Sequence, residues 1–176
     1  MRKGDIVYDI GANVGLHTLF FSRLVGEGGH VFAFEPAPPT ARKLAEHLRL
    51  NGVKNVTVIE KAITRAVGTM HLSLHEDPCQ THLDEHGEIC VMTTSIDALI
   101  HELPPPNCIK IDIEGGEIDA LPGGQECFRT YKPTLFLATH FGSDVNCCEI
   151  LRSWGYETEF FEDRDLLARA KAQLDA

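Results

Sequence analysis

The chain has 176 residues, of which 43% are apolar and 24% charged, with 16 basic and 26 acidic side chains and a formal net charge of −10. This length suits one domain with a sizeable core, and the apolar content is too high for disorder. The negative charge argues against a nucleic-acid or anionic-membrane partner, and no run of about 18 apolar residues is present to cross a bilayer.

The N-terminus, Met1-Arg2-Lys3-Gly4, enters a strand at once, so no signal peptide is expected and the location expected is cytoplasmic. The six cysteines, at 79, 90, 108, 127, 147 and 148, form no Cys-x-x-Cys pair and read as free thiols of a reducing compartment.

The first strand is expected over 5–10 and the first helix over 15–26, with Leu16, Leu19, Phe20, Leu24 and Val25 as its apolar stripe. A second strand covers 30–34. Pro38-Pro39-Thr40 opens a helix at about 39–50, Asn51-Gly52 closes it, and a third strand follows at 56–59. This alternation predicts a parallel α/β sheet with right-handed crossovers.

The rhythm then changes. Residues 68–74 alternate like a half-exposed strand, and Ile89-Cys90-Val91-Met92-Thr93 reads as another. These two form a small antiparallel pair inserted at the sheet edge. The polar stretch between them, about 75–88, is expected to be a lid or substrate loop. His71, His75, His82 and His86 lie near Cys79 and Cys90, but their spacings match no structural zinc pattern. Thr94-Ser95 caps a helix at 96–102, and Pro104-Pro105-Pro106 is a stiff spacer.

Cys108 to Ile113 is a fourth buried strand. An apolar helical segment at 118–121, a short helix at 125–130, a fifth strand at 133–138 and a helix at 144–154 follow. Tyr156 to Phe161 is the last strand expected, and 165–174 reads as an amphipathic helix. The whole of 1–176 is expected to be a single domain.

The chemistry begins at Asp9-Ile10-Gly11-Ala12-Asn13-Val14-Gly15, where a buried strand hands over to a helix through a glycine-spaced turn. Glu35 lies twenty residues beyond Gly15, at the end of the second strand, where an acid accepts hydrogen bonds from ribose hydroxyls. The ligand is then a dinucleotide or S-adenosylmethionine (SAM). A dinucleotide fingerprint has glycines spaced for a pyrophosphate. Here the spacing is Gly-x-x-x-Gly, and Asp9 would repel a pyrophosphate but suit the cationic amino-acid end of SAM. These features favour SAM. Asp9, Gly11, Asn13 and Gly15 are expected to hold its methionine end, and Glu35 its ribose. Residues after the third strand, around Glu60, Lys61 and Ala62, are expected near the adenine.

At the end of the fourth strand, Asp112, Glu114 and Glu117 cluster, and His140 follows the fifth. Asp112 is expected to face both cofactor and acceptor. Asp112, Glu114 or His140 can take the proton of an acceptor hydroxyl. Structural roles compete with these: a cap for Asp112, a helix N-terminus favoured by the dipole for Glu114 and Glu117, a turn histidine for His140. Lys110 shares a face with Asp112 and is a weaker candidate, as an ion-pair partner of a cluster carboxylate. The oxygen-rich set would suit Mg²⁺ or Ca²⁺, but no ligand spacing is diagnostic and no metal is expected.

The sequence resembles the FkbM family of SAM-dependent methyltransferases. The resemblance rests on Val7 to Gly15, Ala33-Phe34-Glu35-Pro36, Asn51-Gly52, Ala62, Ser95-Ile96-Asp97, Lys110-Ile111-Asp112-Ile113-Glu114-Gly115, Glu117, Pro133, His140 and Gly155-Tyr156, in family order over roughly 4–158. It implies a three-layer, Rossmann-like class I methyltransferase fold and O-methylation of a hydroxyl on a sugar or other small metabolite. The family often carries a Glu two residues before the histidine. Here that residue is Ala138, so a carboxylate role there is lost. Relatives usually also carry a helical segment ahead of the first strand. The competing functions are a non-catalytic SAM- or nucleoside-binding module and an NAD-dependent oxidoreductase. The partner expected is a small hydroxylated acceptor, and the sequence leaves a homo-oligomer open.

Overall fold

The computed structural model describes residues 1–75, 82–84, 86–161 and 164–171. Half of the expected lid loop, 76–81 and 85, therefore lies outside the described residues.

The elements run β1 (Ile6–Ile10), α1 (Leu16–Val25), β2 (His30–Phe34), α2 (Pro38–Leu50), β3 (Val56–Ile59), β4 (Ala62–Ile63), β5 (Gly68–Ser73), β6 (His82–Leu83) and β7 (Ile89–Thr94). They continue through α3 (Ile96–Leu99), β8 (Cys108–Ile111), α4 (Glu117–Ala120), a 3₁₀ turn (Leu121–Gly124), α5 (Gln125–Thr130), β9 (Thr134–Ala138), α6 (Asp144–Ser153), β10 (Tyr156–Phe160) and β11 (Asp165–Ala170).

Seven strands form one sheet in the order β10-β11-β9-β8-β1-β2-β3. All are parallel except β11, which runs antiparallel to both of its neighbours. The order reverses between β1 and β8, the switch point where open α/β sheets leave a crevice. The expected antiparallel pair is β5 and β7. It belongs to a second sheet, β4-β7-β5-β6, in which β4 runs parallel to β7.

Strand alternation sorts the core into two layers. Tyr8, Ile10, Ile109, Ile111, Leu135 and Leu137 face one way and pack against apolar residues of α3 to α6. Val7, Val31 and Cys108 face the other way, onto Phe21 and Val25 of α1, while Ala33 packs on Leu44 and Leu48 of α2. Ala37, Ala62, Leu72 and Val91 join the second sheet to the first beside the crevice.

Two expectations are corrected. Residues 165–170 are a strand rather than the start of a helix. Leu166, Ala168 and Ala170 alternate inward, while β11 supplies the ladder partners of β9 and β10. The Ala- and Leu-rich composition favours helix locally, but satisfying two strand edges and burying three apolar side chains outweighs that weak preference.

The apolar stripe of α1 also differs from expectation. Thr18, Phe21, Ser22 and Val25 point inward, and Leu16, Phe20 and Leu24 are exposed. The hydroxyls turn in because each has a polar partner below. Thr18 Oγ1 donates to Asp9 Oδ2 at 2.6 Å, and Ser22 Oγ donates to Asn55 Oδ1 at 2.7 Å. Periodicity in hydrophobicity misses a face whose buried members are hydrogen-bonded.

Candidate active site

The turn after β1 is built from its own polar groups. Gly11 N and Ala12 N both donate to Phe34 O, at 3.1 and 3.0 Å. Asn13 N donates to Glu35 Oε2 at 2.9 Å, Val14 N to Asn13 Oδ1 at 2.7 Å, and Gly15 N to Ala12 O at 2.9 Å. Each of the five N–H groups thus has a protein partner. A pyrophosphate needs such groups pointing outward, so this turn is poorly suited to a dinucleotide. Gly11 has φ +77°, and a Cβ on it would lie 1.9 Å from Asp112 O. Its glycine lets the turn press onto the end of β8. Gly15 starts α1 at φ +94°, and a Cβ there would meet Leu44 Cδ1 at 2.4 Å. Both glycines are therefore needed by the chain itself, whatever binds beside them.

Glu35 closes this turn from β2. Its second oxygen, Oε1, accepts from Ala37 N at 3.0 Å. Burial raises the Glu35 pKa above the ordinary value, and the N–H groups of Ala37 and Asn13, with Lys110, pull it part of the way back. Each carboxylate oxygen keeps lone-pair capacity beyond its one backbone bond. The residue lines the crevice.

Asp9 stands behind the turn. It is fully buried, and its carboxylate is held by Thr18 and by Lys110, whose Nζ lies 3.4 Å from Oδ1. Asp9 and Lys110 are direct partners across the parallel pair of β1 and β8. Lys110 also donates to Gly11 O at 2.7 Å and lies 3.7 Å from Asp112 Oδ2. One ammonium group thus ties the buried aspartate, the glycine turn and the end of β8 together. The ion-pair role expected of Lys110 has this geometry.

Across the crevice lies the second cluster. Glu117 is fully buried at the start of α4. Its Oε1 accepts from Ile113 N at 3.3 Å, from Gly115 N at 3.2 Å and from His140 Nδ1 at 3.0 Å. His140 Nε2 lies 3.7 Å from Asp112 Oδ1 and 3.6 Å from Glu114 Oε2. Asp112, Glu114 and His140 bring their donor atoms within 4.8 Å of one another, compact enough for a cation, and Lys110 already places a positive charge beside Asp112.

Two non-glycine residues here sit at positive φ, Glu114 at 52° and Phe141 at 51°. Such backbone costs about 1–3 kcal/mol and concentrates at functional sites. The Phe141 side chain is 89% exposed. A Cβ on Gly115 would come within 2.9 Å of its ring, so the glycine gives that ring its place.

The crevice between these groups is a cleft of about 560 Å³, the size of a small-molecule site. Gly11, Asn13, Glu35, Asp112 and Glu114 line it. Asp9 and Gly15 stand one layer back, and His140 lies behind Asp112 and Glu114. Lys61 and Ala62, expected near the adenine, line it as well. Leu72, His82 and Leu83 of the second sheet form part of the wall; His82 and Leu83 fall within the expected lid loop but pair as β6, whereas no motif announced Leu72. Phe141 was also missed, although its place directly after His140 in a glycine-containing turn was a usable signal.

The cleft fits SAM. It combines an acid for a ribose, apolar wall from Ile63, Leu72 and Leu83 for a base, and carboxylates that suit a sulfonium cation.

Known proteins agree with this geometry. The methyltransferase FkbM domain model matches residues 9–170. Hexuronic acid methyltransferase AglP of Haloferax volcanii is 33% identical over 129 residues, covering 69% of this chain and 51% of the relative. The chain thus spans about half the length of that protein. The crystal structure of methyltransferase FkbM from Methylobacillus flagellatus superposes with a TM-score of 0.69 at 21% identity, covering 94% of this chain and 43% of the other. Fibrillarin of Aeropyrum pernix, solved with natively bound SAM, gives a TM-score of 0.65 at 13% identity, covering 96% and 67%. With the family domain running from Asp9 in β1 to Ala170 at the end of β11, the chain belongs to the FkbM family of methyltransferases.

Proposed function

We propose that the cleft binds SAM and that the protein transfers its methyl group to a hydroxyl of a small polar acceptor of the sugar or uronic-acid class. The observation that carries this reading is the opposition of two built clusters across one crevice. On one side Glu35 closes the Gly11–Asn13 turn. On the other, Asp112, Glu114 and His140 converge beside Phe141. AglP acts, by its name, on a hexuronic acid, which supports the acceptor class.

When bound, SAM supplies an electrophilic methyl group. The chain's part is to hold the acceptor oxygen in line and to take its proton. Glu35 accepts from the ribose hydroxyls through the lone pairs its backbone bonds leave. Gly11 and Asn13 border the methionine end, and Asp9 acts there through Lys110 and the turn rather than by contact. Asp112 stands at the boundary of the two halves. His140 takes the proton, with Asp112 and Glu114 close enough to stabilise the imidazolium that results. Phe141 offers an exposed aromatic face on which the apolar face of a sugar ring can lie.

Methyl transfer from labelled SAM to a panel of uronic acids and neutral sugars tests the reading. Labelled, O-methylated product supports it. Tight SAM binding without turnover on any hydroxylated acceptor would favour a binding module instead.

A further inference from the structure

We infer that Glu117 is a positioning residue that fixes the tautomer of His140, so that Nε2 presents its lone pair to the acceptor. The inference rests on the methyl-transfer reading of the site and concerns a residue one layer behind the groups that line the cleft.

Glu117 Oε1 is surrounded by two backbone N–H groups, of Ile113 and Gly115. A backbone N–H can only donate, so Oε1 is an acceptor in this arrangement. The third contact, His140 Nδ1 at 3.0 Å, is a hydrogen bond only when Nδ1 carries the proton. An unprotonated Nδ1 would set two lone pairs against each other in a place without water, since Glu117 is fully buried. The neutral ring then carries no proton on Nε2. That nitrogen is the one turned towards Asp112 and Glu114, at 3.7 and 3.6 Å.

Sequence and backbone build this arrangement together. The turn Ile113-Glu114-Gly115-Gly116 reverses at positive φ through Glu114 and Gly115, and the N–H groups of Ile113 and Gly115 meet at one oxygen. Glu117 opens α4 directly beneath them, and His140, two residues beyond the end of β9, lies against it in the same cluster. A solvated acid at a helix N-terminus would be exposed. Glu117 is not, and it spends its oxygen on an imidazole 23 positions away.

In the reaction, the acceptor hydroxyl loses its proton to Nε2 as its oxygen bonds to the methyl carbon. The carbon–sulfur bond breaks and its electron pair stays on sulfur. His140 becomes an imidazolium with one N–H on Glu117 and the new one facing Asp112 and Glu114. A histidine held by a buried acid in this way is both oriented and prepared for the positive charge.

Nitrogen-15 NMR of uniformly labelled, wild-type protein at pH 8.5 reads the His140 tautomer directly, with His140→Gln assigning the signal. The expected result is Nδ1–H with an unprotonated Nε2. An Nε2–H ring, or a ring still doubly protonated at that pH, overturns the inference. In Glu117→Leu the Nδ1–H to Nε2–H ratio should fall by at least about tenfold, and an unchanged ratio in a folded variant overturns it too. The wild-type spectrum decides alone where the variant does not fold. SAM calorimetry on the same samples separates the two levels: SAM binding with an Nε2–H ring removes only the role of Glu117, whereas no SAM binding removes the methyl-transfer reading itself.

Discussion

Asp9 and Lys110 face each other across β1 and β8, one fully buried and the other nearly so, with Nζ 3.4 Å from Oδ1. Their pairing sets an opposite charge beside a fully buried acid near the end of a central strand. It also fixes the glycine turn, because the same ammonium group donates to Gly11 O. Lys110→Met leaves Asp9 buried without its cation and should destabilise the protein by ~3–5 kcal/mol. Adding Asp9→Asn should recover most of that loss. Denaturant unfolding of the single and double variants measures both, and equal stabilities would remove the pair from this role.

Glu35 carries a pH signature. Burial raises its pKa, so the folded chain holds the proton more tightly than the unfolded chain does. Its protonation therefore contributes stability that is complete below the unfolded pKa and is lost as pH rises through the folded one. Cofactor binding runs the opposite way, since the charged carboxylate is the better acceptor for ribose hydroxyls. SAM affinity should decline as pH falls through the raised pKa. Glu35→Gln should bind SAM more weakly by ~1.5–3 kcal/mol and lose the Glu35 part of that decline. Calorimetry from pH 5 to 8 reads both effects.

His140 should matter to turnover more than to binding. His140→Ala should lower kcat by roughly 10²–10⁴-fold, with the SAM dissociation constant changed by no more than about twofold. Single-turnover methyl transfer alongside SAM calorimetry checks the split. A matching loss of SAM affinity would instead place His140 in the cofactor site.

Phe141 should act on the acceptor alone. Its exposed ring gains apolar contact only when an acceptor lies on it, worth ~1–2 kcal/mol. Phe141→Ala should raise the acceptor KM about 5–30-fold and leave SAM binding alone. Replacement by Tyr or Trp should restore the acceptor KM.

Much of this site could be read from residue order. The strand–turn–helix at Asp9 to Gly15, the acid at Glu35 and the cluster after Lys110 are local patterns with a local physical cause, and the structure places them round one crevice. Lys110 was legible as an ion-pair partner because period-2 alternation puts it on the face of Asp112; that its nearest carboxylate would be Asp9 depended on cross-strand register, which no single strand encodes. The strand β11 was hidden because Leu166 to Ala170 satisfy a helical and an alternating pattern equally well, and only the open edges of β9 and β10 decide between them. The inward face of α1 was hidden because Thr18 and Ser22 are buried by their hydrogen bonds rather than by hydrophobicity. The wall position of Leu72 was hidden because it depends on how the second sheet docks on the first, and the pairing of His82 and Leu83 as β6 was hidden because the polar stretch around them carries no alternating pattern.

The identity of the ligand is the claim on which the rest depends, and competitive titration calorimetry of the purified protein with SAM, S-adenosylhomocysteine and NAD tests it most directly. The geometry predicts one-to-one binding of SAM and S-adenosylhomocysteine, each displacing the other, with no heat from NAD. Binding of NAD with none of SAM would contradict it.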